Sequence, residues 1–432
     1  MTEVAGERRL GLFSATALVV ASMVGTGVFT TSGLLLADLG RPGPVLLAWL
    51  LGGVLATCGA LSYGALARRL PESGGEYLFL SRTLHPAAGN IAGWISLLVG
   101  FSAPLAAAAY GFGEYLKHWF PASAPQWPAT WLLCGFALIH GWDARKGAWL
   151  QNFTVVLKIA LMVAFIGFAL PRLPQQPPVA AAPGGAGSFA LALVWVSFSY
   201  SGWNAAVYVA GEVRDPRRNL PLALLLGTGL VTLLYLALNA TLLAAAAPAE
   251  LAGKIEVARL AALALGGPAW ADAVSVLVAL ALATTVSAMM MAGPRVYAQM
   301  ARDGCLPAWL AGGAGAPAAA VALQWGVSLL LLWTAAFDSL LTYIGFTLSL
   351  SSAATVIGLI RLKRREGGDF AVPGWPWVPG LFLLGVIWMA LAMVLRQPVE
   401  SLWGLASCGI GWVSWRWSRW RRNGRWERSK GG

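Results

Sequence analysis

The chain has 432 residues, 58% of them hydrophobic and 11% charged, with a mean hydropathy of +0.68 and a formal net charge of +12. That balance excludes an ordinary soluble globular domain. The basic residues fall in short clusters between apolar stretches, a pattern that orientation in a membrane explains better than nucleic-acid binding does.

Twelve apolar runs follow one another, at 11–38, 43–67, 87–116, 128–142, 149–170, 187–211, 220–247, 268–301, 316–336, 338–362, 378–396 and 400–416. A helix needs about 20 apolar residues to cross a bilayer, so the expectation is an all-α membrane protein with twelve transmembrane helices. The four cysteines, Cys58, Cys134, Cys305 and Cys408, have no metal-ligand or disulfide-framework spacing, and no metal or cofactor is expected. No cleavable signal peptide is evident, because the first apolar run is too long for one.

The first run is interrupted at Val24-Gly25-Thr26-Gly27-Val28-Phe29. Glycine weakens a helix interior. In lipid a broken helix is tolerated only where its freed backbone groups line a cavity or are buried in protein. Two half-helices around an unwound turn would aim amides at a guest anion, a carboxylate above all. A glycine patch for close helix packing is the competing reading.

The fifth run carries Lys158 inside Phe153-Thr154-Val155-Val156-Leu157-Lys158-Ile159-Ala160-Leu161. A lysine at mid-membrane costs about 2.5–3.5 kcal/mol on insertion scales, so it should face the interior and have partners. Snorkelling is the alternative, but the cytoplasmic end lies some nine residues away, roughly 13 Å at helical rise.

The sixth run is interrupted in its turn, at Phe198-Ser199-Tyr200-Ser201-Gly202-Trp203-Asn204. Gly25 and Ser201 are 176 residues apart, as are the run starts at Gly11 and Gly187. Runs two and seven start 177 residues apart, and runs three and eight about 181. Paired interrupted segments at matching positions of two halves point to a transporter site. Two five-helix units with an odd number of crossings must lie upside-down to each other, the 5+5 inverted repeat of the LeuT type. The division is then a cytoplasmic N-terminus at 1–10, a first repeat at 11–170, a second at 187–362, two added helices at 378–416 and a basic tail at 417–432. With the N-terminus inside, 23 Lys/Arg fall on the cytoplasmic side and 6 outside, which fixes both termini in the cytoplasm. The tail from Trp415 to Lys430 alternates tryptophan with arginine and reads as an anchor to anionic membrane lipid.

Several longer stretches carry a family resemblance. They are Gly25-Thr26-Gly27-Val28-Phe29; Pro71-Glu72-Ser73-Gly74-Gly75-Glu76-Tyr77 with Gly93-Trp94; the Phe198–Asn204 stretch with Glu212-Val213-Arg214-Asp215-Pro216-Arg217-Arg218-Asn219-Leu220-Pro221; and Arg295–Pro307. Over about residues 8 to 365 the chain resembles the amino acid–polyamine–organocation superfamily, and within it the L-type amino-acid transporter branch. The resemblance implies that backbone amides around Val24, Gly25, Thr26 and Gly27 hold an amino acid's carboxylate. It implies that carbonyls near Phe198, Ser199 and Ser201 hold its ammonium. Phe198 aligns with the aromatic that caps the substrate, Phe198 and Trp203 are the gating candidates, and Asn204 matches a position that contacts substrate. For both aromatics, plain helix packing is the competing reading. Lys158 takes the place where sodium-coupled relatives bind sodium, with Thr284, Thr285 and Ser287 as hydroxyl candidates, so transport is expected to be sodium-independent and protons are a candidate coupled ion. The similar animal carriers pair with a glycoprotein subunit; nothing in this sequence demands one.

No acidic residue stands out in the pocket-forming parts of runs 1, 3, 6, 8 and 10. A cationic substrate would want one, so neutral amino acids are favoured. Glu212, Arg214, Asp215, Arg217, Arg218 and Arg302 are candidates for inner ion pairs, although most loop charges are solvated. The expected function is a secondary active transporter, an exchanger or a proton-coupled permease. The alternatives are a polyamine carrier or efflux protein of the same fold, or a membrane sensor that binds without transporting. An enzyme is not expected, since His85, His118 and His140 have no partners at motif spacing.

Overall fold

The computed structural model describes residues 10–142, 147–174, 186–304, 306–311, 318–367 and 370–430. Cys305, Arg8, Arg9, Arg145 and Lys146 lie outside them. Among the described residues the regular structure is helical throughout. The extended contact is a single parallel bridge between Leu10 and Val213, closed by Leu10 N–H on the Glu212 carbonyl (3.0 Å) and Arg214 N–H on the Leu10 carbonyl (2.8 Å).

The chain opens with α1 (Leu12–Met23) and α2 (Thr26–Leu39), bent by 41° across Val24 and Gly25. Gly40, at φ 71°, closes α2. Proline then starts α3 (Pro42–Arg69), in the first-turn position where its missing N–H costs nothing. Gly74 and Gly75 both have positive φ, 142° and 57°, a backbone open to glycine. They turn the chain back toward the bundle as α4 (Gly75–Thr83). Next come α5 (Pro86–Ile95) and α6 (Ala103–Leu116), joined without interruption by a π-helical stretch at Ser96–Ser102. The Ser102 hydroxyl there bonds the Leu97 carbonyl five residues back (2.8 Å), and the Tyr297 hydroxyl reaches the same carbonyl (3.1 Å). Such wide turns recur at functional positions in helices.

Then follow α7 (Gln126–Trp142), α8 (Gly147–Ala169) and α9 (Ala186–Tyr200). A turn leads to the single-turn α10 (Ala205–Tyr208), then α11 (Pro216–Ala245) and the short α12 (Pro248–Leu251). The 46-residue α13 (Val257–Arg302) is broken at Gly267 and contains Pro294. Helices α14 (Ala318–Thr334), α15 (Phe337–Glu366), α16 (Trp377–Arg396) and α17 (Pro398–Lys430) complete the chain.

Six of these are long and apolar enough to cross a membrane: α3, the α5–α6 unit, α11, α13, α15 and α16; the bent α1–α2 pair makes a seventh. At the places of the other expected spans, α7 and α14 are 17 residues long, and α9 stops at Tyr200 where the sixth run is interrupted. The twelfth run extends further than expected. Its helix continues through the Trp/Arg tail, with Arg416 over Trp412 (5.6 Å) and Arg419 over Trp415 (5.4 Å).

The core is organised around the bent pair: from Thr26 to Gly33 every residue of α2 is buried. Large apolar side chains of α16, including Leu384, Leu391 and Leu395, are exposed on the outside, where only hydrocarbon would suit so continuous an apolar face. Arg69 on α3 pairs with Glu366 on α15 (2.8 Å), and Arg82 pairs with Glu72 (3.4 Å). Both pairs are largely exposed, and pairs of that kind contribute little.

Candidate functional site

The site is built from the two interruptions, which lie against each other. The first leaves the end of α1 and the start of α2 without continuous helical bonding. At the α1 end, protein groups take up the carbonyls: the buried Tyr235 hydroxyl of α11 donates to the Met23 carbonyl (2.5 Å), and the Lys158 ammonium of α8 donates to the Val24 carbonyl (3.3 Å). At the α2 end, the first turn presents its amides under the positive pole of the helix, a ready anion cradle. Tyr115 fixes α2 further along, its hydroxyl on the Phe29 carbonyl (2.9 Å).

The second interruption begins after Tyr200. The Ser201 N–H closes on the Phe198 carbonyl (2.9 Å), and the Ala205 N–H closes on the Gly202 carbonyl (3.0 Å). Gly202 has φ 98°, and a side-chain carbon there would come within 2.5 Å of the Ser22 carbonyl oxygen. The turn is therefore stacked on the last turn of α1, and only glycine suits both the dihedral and the gap. On the other side, Gly27 faces Ser199, whose hydroxyl meets Thr31 (3.1 Å) and donates to the Trp195 carbonyl (3.0 Å). The stretches Val24-Gly25-Thr26-Gly27 and Phe198–Asn204 thus touch at Gly27 and Ser199, and beside them Ser22 touches Gly202, with Ser201 next to that second contact, while Asn204 bonds Glu76. Phe198 and Ser199 are buried, while Ser201 and Asn204 are partly open.

Lys158 is 5% exposed, and its ammonium reaches the Thr285 hydroxyl (2.6 Å) as well as Val24. This bridge ties the broken helix to α8 and α13. Thr285 in turn donates to the Ala281 carbonyl (2.9 Å). The other two hydroxyl candidates are engaged elsewhere: Thr284 on the Ala281 carbonyl (2.8 Å), and Ser287 with His140 Nε2 (2.8 Å). The side chain is turned into the protein, onto Val24 and Thr285.

Trp203 is wedged between helices. Its ring meets Tyr63 edge-on at 4.7 Å and Phe382 at 6.4 Å, and the Cα of Gly59 leaves the space it fills.

Three residues escaped the sequence reading. Tyr235 acts across 212 positions of sequence, and nothing local marks it. His140 is buried on α7 against Ser287. Glu76 belongs to a stretch read as a cytoplasmic loop, yet it is 5% exposed. Its carboxylate receives Tyr63 (2.6 Å), Asn204 Nδ2 (3.1 Å), Ser352 (3.2 Å) and Ser351. Burial pushes this carboxyl above the usual range, and its four donors oppose that shift. The paired glycines before it are the one local signal of a chain turning inward. Among the described residues no group of three or more His, Cys, Asp or Glu is placed to hold a metal.

The Tyr235 contact has a measurable weight. Tyr235→Phe leaves the buried Met23 carbonyl unpaired, which should cost about 1–3 kcal/mol. A lower melting temperature of the purified protein checks this; an unchanged one would mean that the carbonyl finds another donor.

Comparison with known proteins supplies the family. The chain matches the amino acid permease family over residues 10–413. It is 28% identical over 428 residues to Asc-type amino acid transporter 1 of Mus musculus, covering 94% of this chain and 79% of that protein. It is 30% identical over 430 residues to large neutral amino acids transporter small subunit 2 of Homo sapiens, covering 94% and 78%. It is 26% identical over 409 residues to b(0,+)-type amino acid transporter 1 of Rattus norvegicus, covering 91% and 84%. With a helical bundle of several apolar spans around two abutting helix breaks, and a family match over nearly its whole length, this multi-pass membrane protein belongs to the amino acid permease family.

Proposed function

We propose that the chain carries neutral amino acids across the membrane by alternating access, without sodium, as an exchanger or a proton-coupled permease. The observation that carries this reading is the bridge from Lys158 to the Val24 carbonyl and Thr285, beside two abutting helix breaks. A fixed ammonium at that place does the work a bound cation would do, holding carbonyl and hydroxyl oxygens together.

In this reading the substrate's carboxylate sits on the amides of Gly25, Thr26 and Gly27, with Val24 at its edge. Its ammonium sits on carbonyls near Phe198, Ser199 and Ser201. Asn204 contacts the substrate, and Phe198 caps it. Trp203, held against α3, carries the closing motion to that helix. Thr285 anchors Lys158, with Thr284 and Ser287 on the same helix. The twelve runs form a 5+5 inverted repeat at 11–170 and 187–362, followed by 378–416 and the tail at 417–432, with both termini in the cytoplasm. The names of the relatives, all amino acid transporters, support the substrate class.

The test is uptake of labelled neutral amino acids into proteoliposomes in sodium-free buffer, with and without internal amino acid, and with an inward proton gradient. Uptake only into preloaded vesicles is the result expected of an exchanger. Uptake into empty vesicles driven by the proton gradient identifies a symporter. Uptake that requires sodium, or arginine and lysine outcompeting leucine and alanine, would overturn the corresponding part of the proposal. Competition by a decarboxylated analogue would move the substrate class to amines.

A further inference from the structure

Glu76 is the buried acid that the proposed transport cycle leaves unused. It stands near the start of α4, and its four donors come from three separate stretches: Tyr63 of α3, Asn204 of the turn before α10, and Ser351 and Ser352 of α15. No lysine, arginine or histidine is among its hydrogen-bond partners in the described residues. A tie between helices does not require a charge, and a carboxylate without a cation is an expensive way to make one.

What a carboxylate does that a neutral group does not is accept only. Each of its neighbours must point a donor at it. For tyrosine and serine that merely turns a hydroxyl. For asparagine it decides which end of the amide faces inward to the acid and which end is left over. With Asn204 Nδ2 held by Glu76 Oε1 at 3.1 Å, the Asn204 carbonyl oxygen is the end turned away from the acid, an acceptor carried by the unwound turn. An acceptor there suits the amino group of a substrate; the opposite face of the amide would repel it.

We propose that Glu76 is a positioning residue for substrate binding: it fixes the orientation and place of Asn204, and it anchors the unwound turn to α3 and α15. The inference rests on the transport reading given above, in which Asn204 meets the substrate.

The experiment exchanges the two groups. Glu76→Gln loses the charge and leaves one accepting oxygen for Tyr63, Asn204 and Ser352, so the hold on Asn204 weakens and its amide can turn over. The expected result is a KM for neutral amino acids raised about tenfold, the weight of one hydrogen bond to a charged group, with kcat and melting temperature close to wild type. Asn204→Asp alone sets two carboxylates face to face and should raise KM further. Glu76→Gln together with Asn204→Asp restores one amide and one carboxylate with the carbonyl-type acceptor still in place, and it should return KM to near the wild-type value. An unchanged KM in Glu76→Gln overturns the proposal. So does a double variant no better than the single ones with melting temperatures falling in step, because that pattern is packing alone. The wild-type arm tests transport by itself: if wild type takes up amino acids and the variants fail to follow this pattern, the fault lies with Glu76 and not with the transport reading.

Discussion

Lys158→Ala is expected to reduce amino-acid uptake about ten- to a hundredfold while leaving the protein folded. The ammonium of Lys158 holds two oxygens at once, the Val24 carbonyl and the Thr285 hydroxyl. Alanine leaves both without that donor, and each buried polar group left unpaired costs about 1–3 kcal/mol. Part of this is offset, because the variant no longer buries an ammonium. Stability should therefore change less than transport. What is lost is the constraint that holds the end of α1 against α8 and α13, and with it the placement of the amides that follow. Initial uptake rates and melting temperature, measured on the same preparation, separate the two effects. Uptake at the wild-type rate would refute the role given to Lys158. Sodium-stimulated uptake by the variant, but not by wild type, would strengthen it, since a vacated cation position would then accept a cation.

Gly27→Ala is expected to be about as damaging, for a steric reason. A side-chain carbon at Gly27 would lie 2.3 Å from the Ser199 hydroxyl oxygen and 2.5 Å from the Ser199 Cα. A hydroxyl can rotate away, but a backbone atom can move only with its helix. The start of α2 and the end of α9 would have to part, at the point where both helix breaks must stay in register. Overpacking of this kind costs about 1–3 kcal/mol, and the displaced amides should lose about five- to a hundredfold in transport at that cost. Gly25→Ala is the control. The added carbon there meets nothing nearer than 3.9 Å, and the backbone at φ −133° is open to other residues. Its melting temperature should stay near wild type, while that of Gly27→Ala falls. Equal melting temperatures for the two variants would show that close packing at Gly27 is not what holds these helices together.

Much of this is legible in the sequence. The two interruptions announce themselves because glycine and small polar residues stand out in apolar runs, and their equal spacing in the two halves links them. Lys158 was legible for the opposite reason: a charge in an apolar run must be explained. The parts that were not legible share one physical cause, which is that their meaning lies in a distant partner. Glu76 sits in a polar stretch, where a carboxylate attracts no notice; only the fold puts Tyr63, Asn204 and α15 around it. Tyr235 is one aromatic among many on an apolar helix until its hydroxyl is found on the Met23 carbonyl. The resemblance offers Ser287 with Thr284 and Thr285 as partners for Lys158, yet the position of Ser287 on α13 turns it to His140. The neighbours of the Trp203 ring, Gly59 and Phe382, are likewise distant from it in sequence.

The covalent attachment of the Lys158 ammonium has an energetic consequence of its own. A bound metal ion enters from one compartment and leaves into the other, so every turnover draws down its gradient. A lysine cannot leave. On the proposed reading, a zwitterion that crosses beside it carries no net charge and takes no metal ion from this position with it. Sodium then has no lever here. While the amine keeps its proton the carrier levels amino-acid concentrations or swaps one amino acid for another, and a proton given up and regained at that amine is the one ion this position can couple to accumulation.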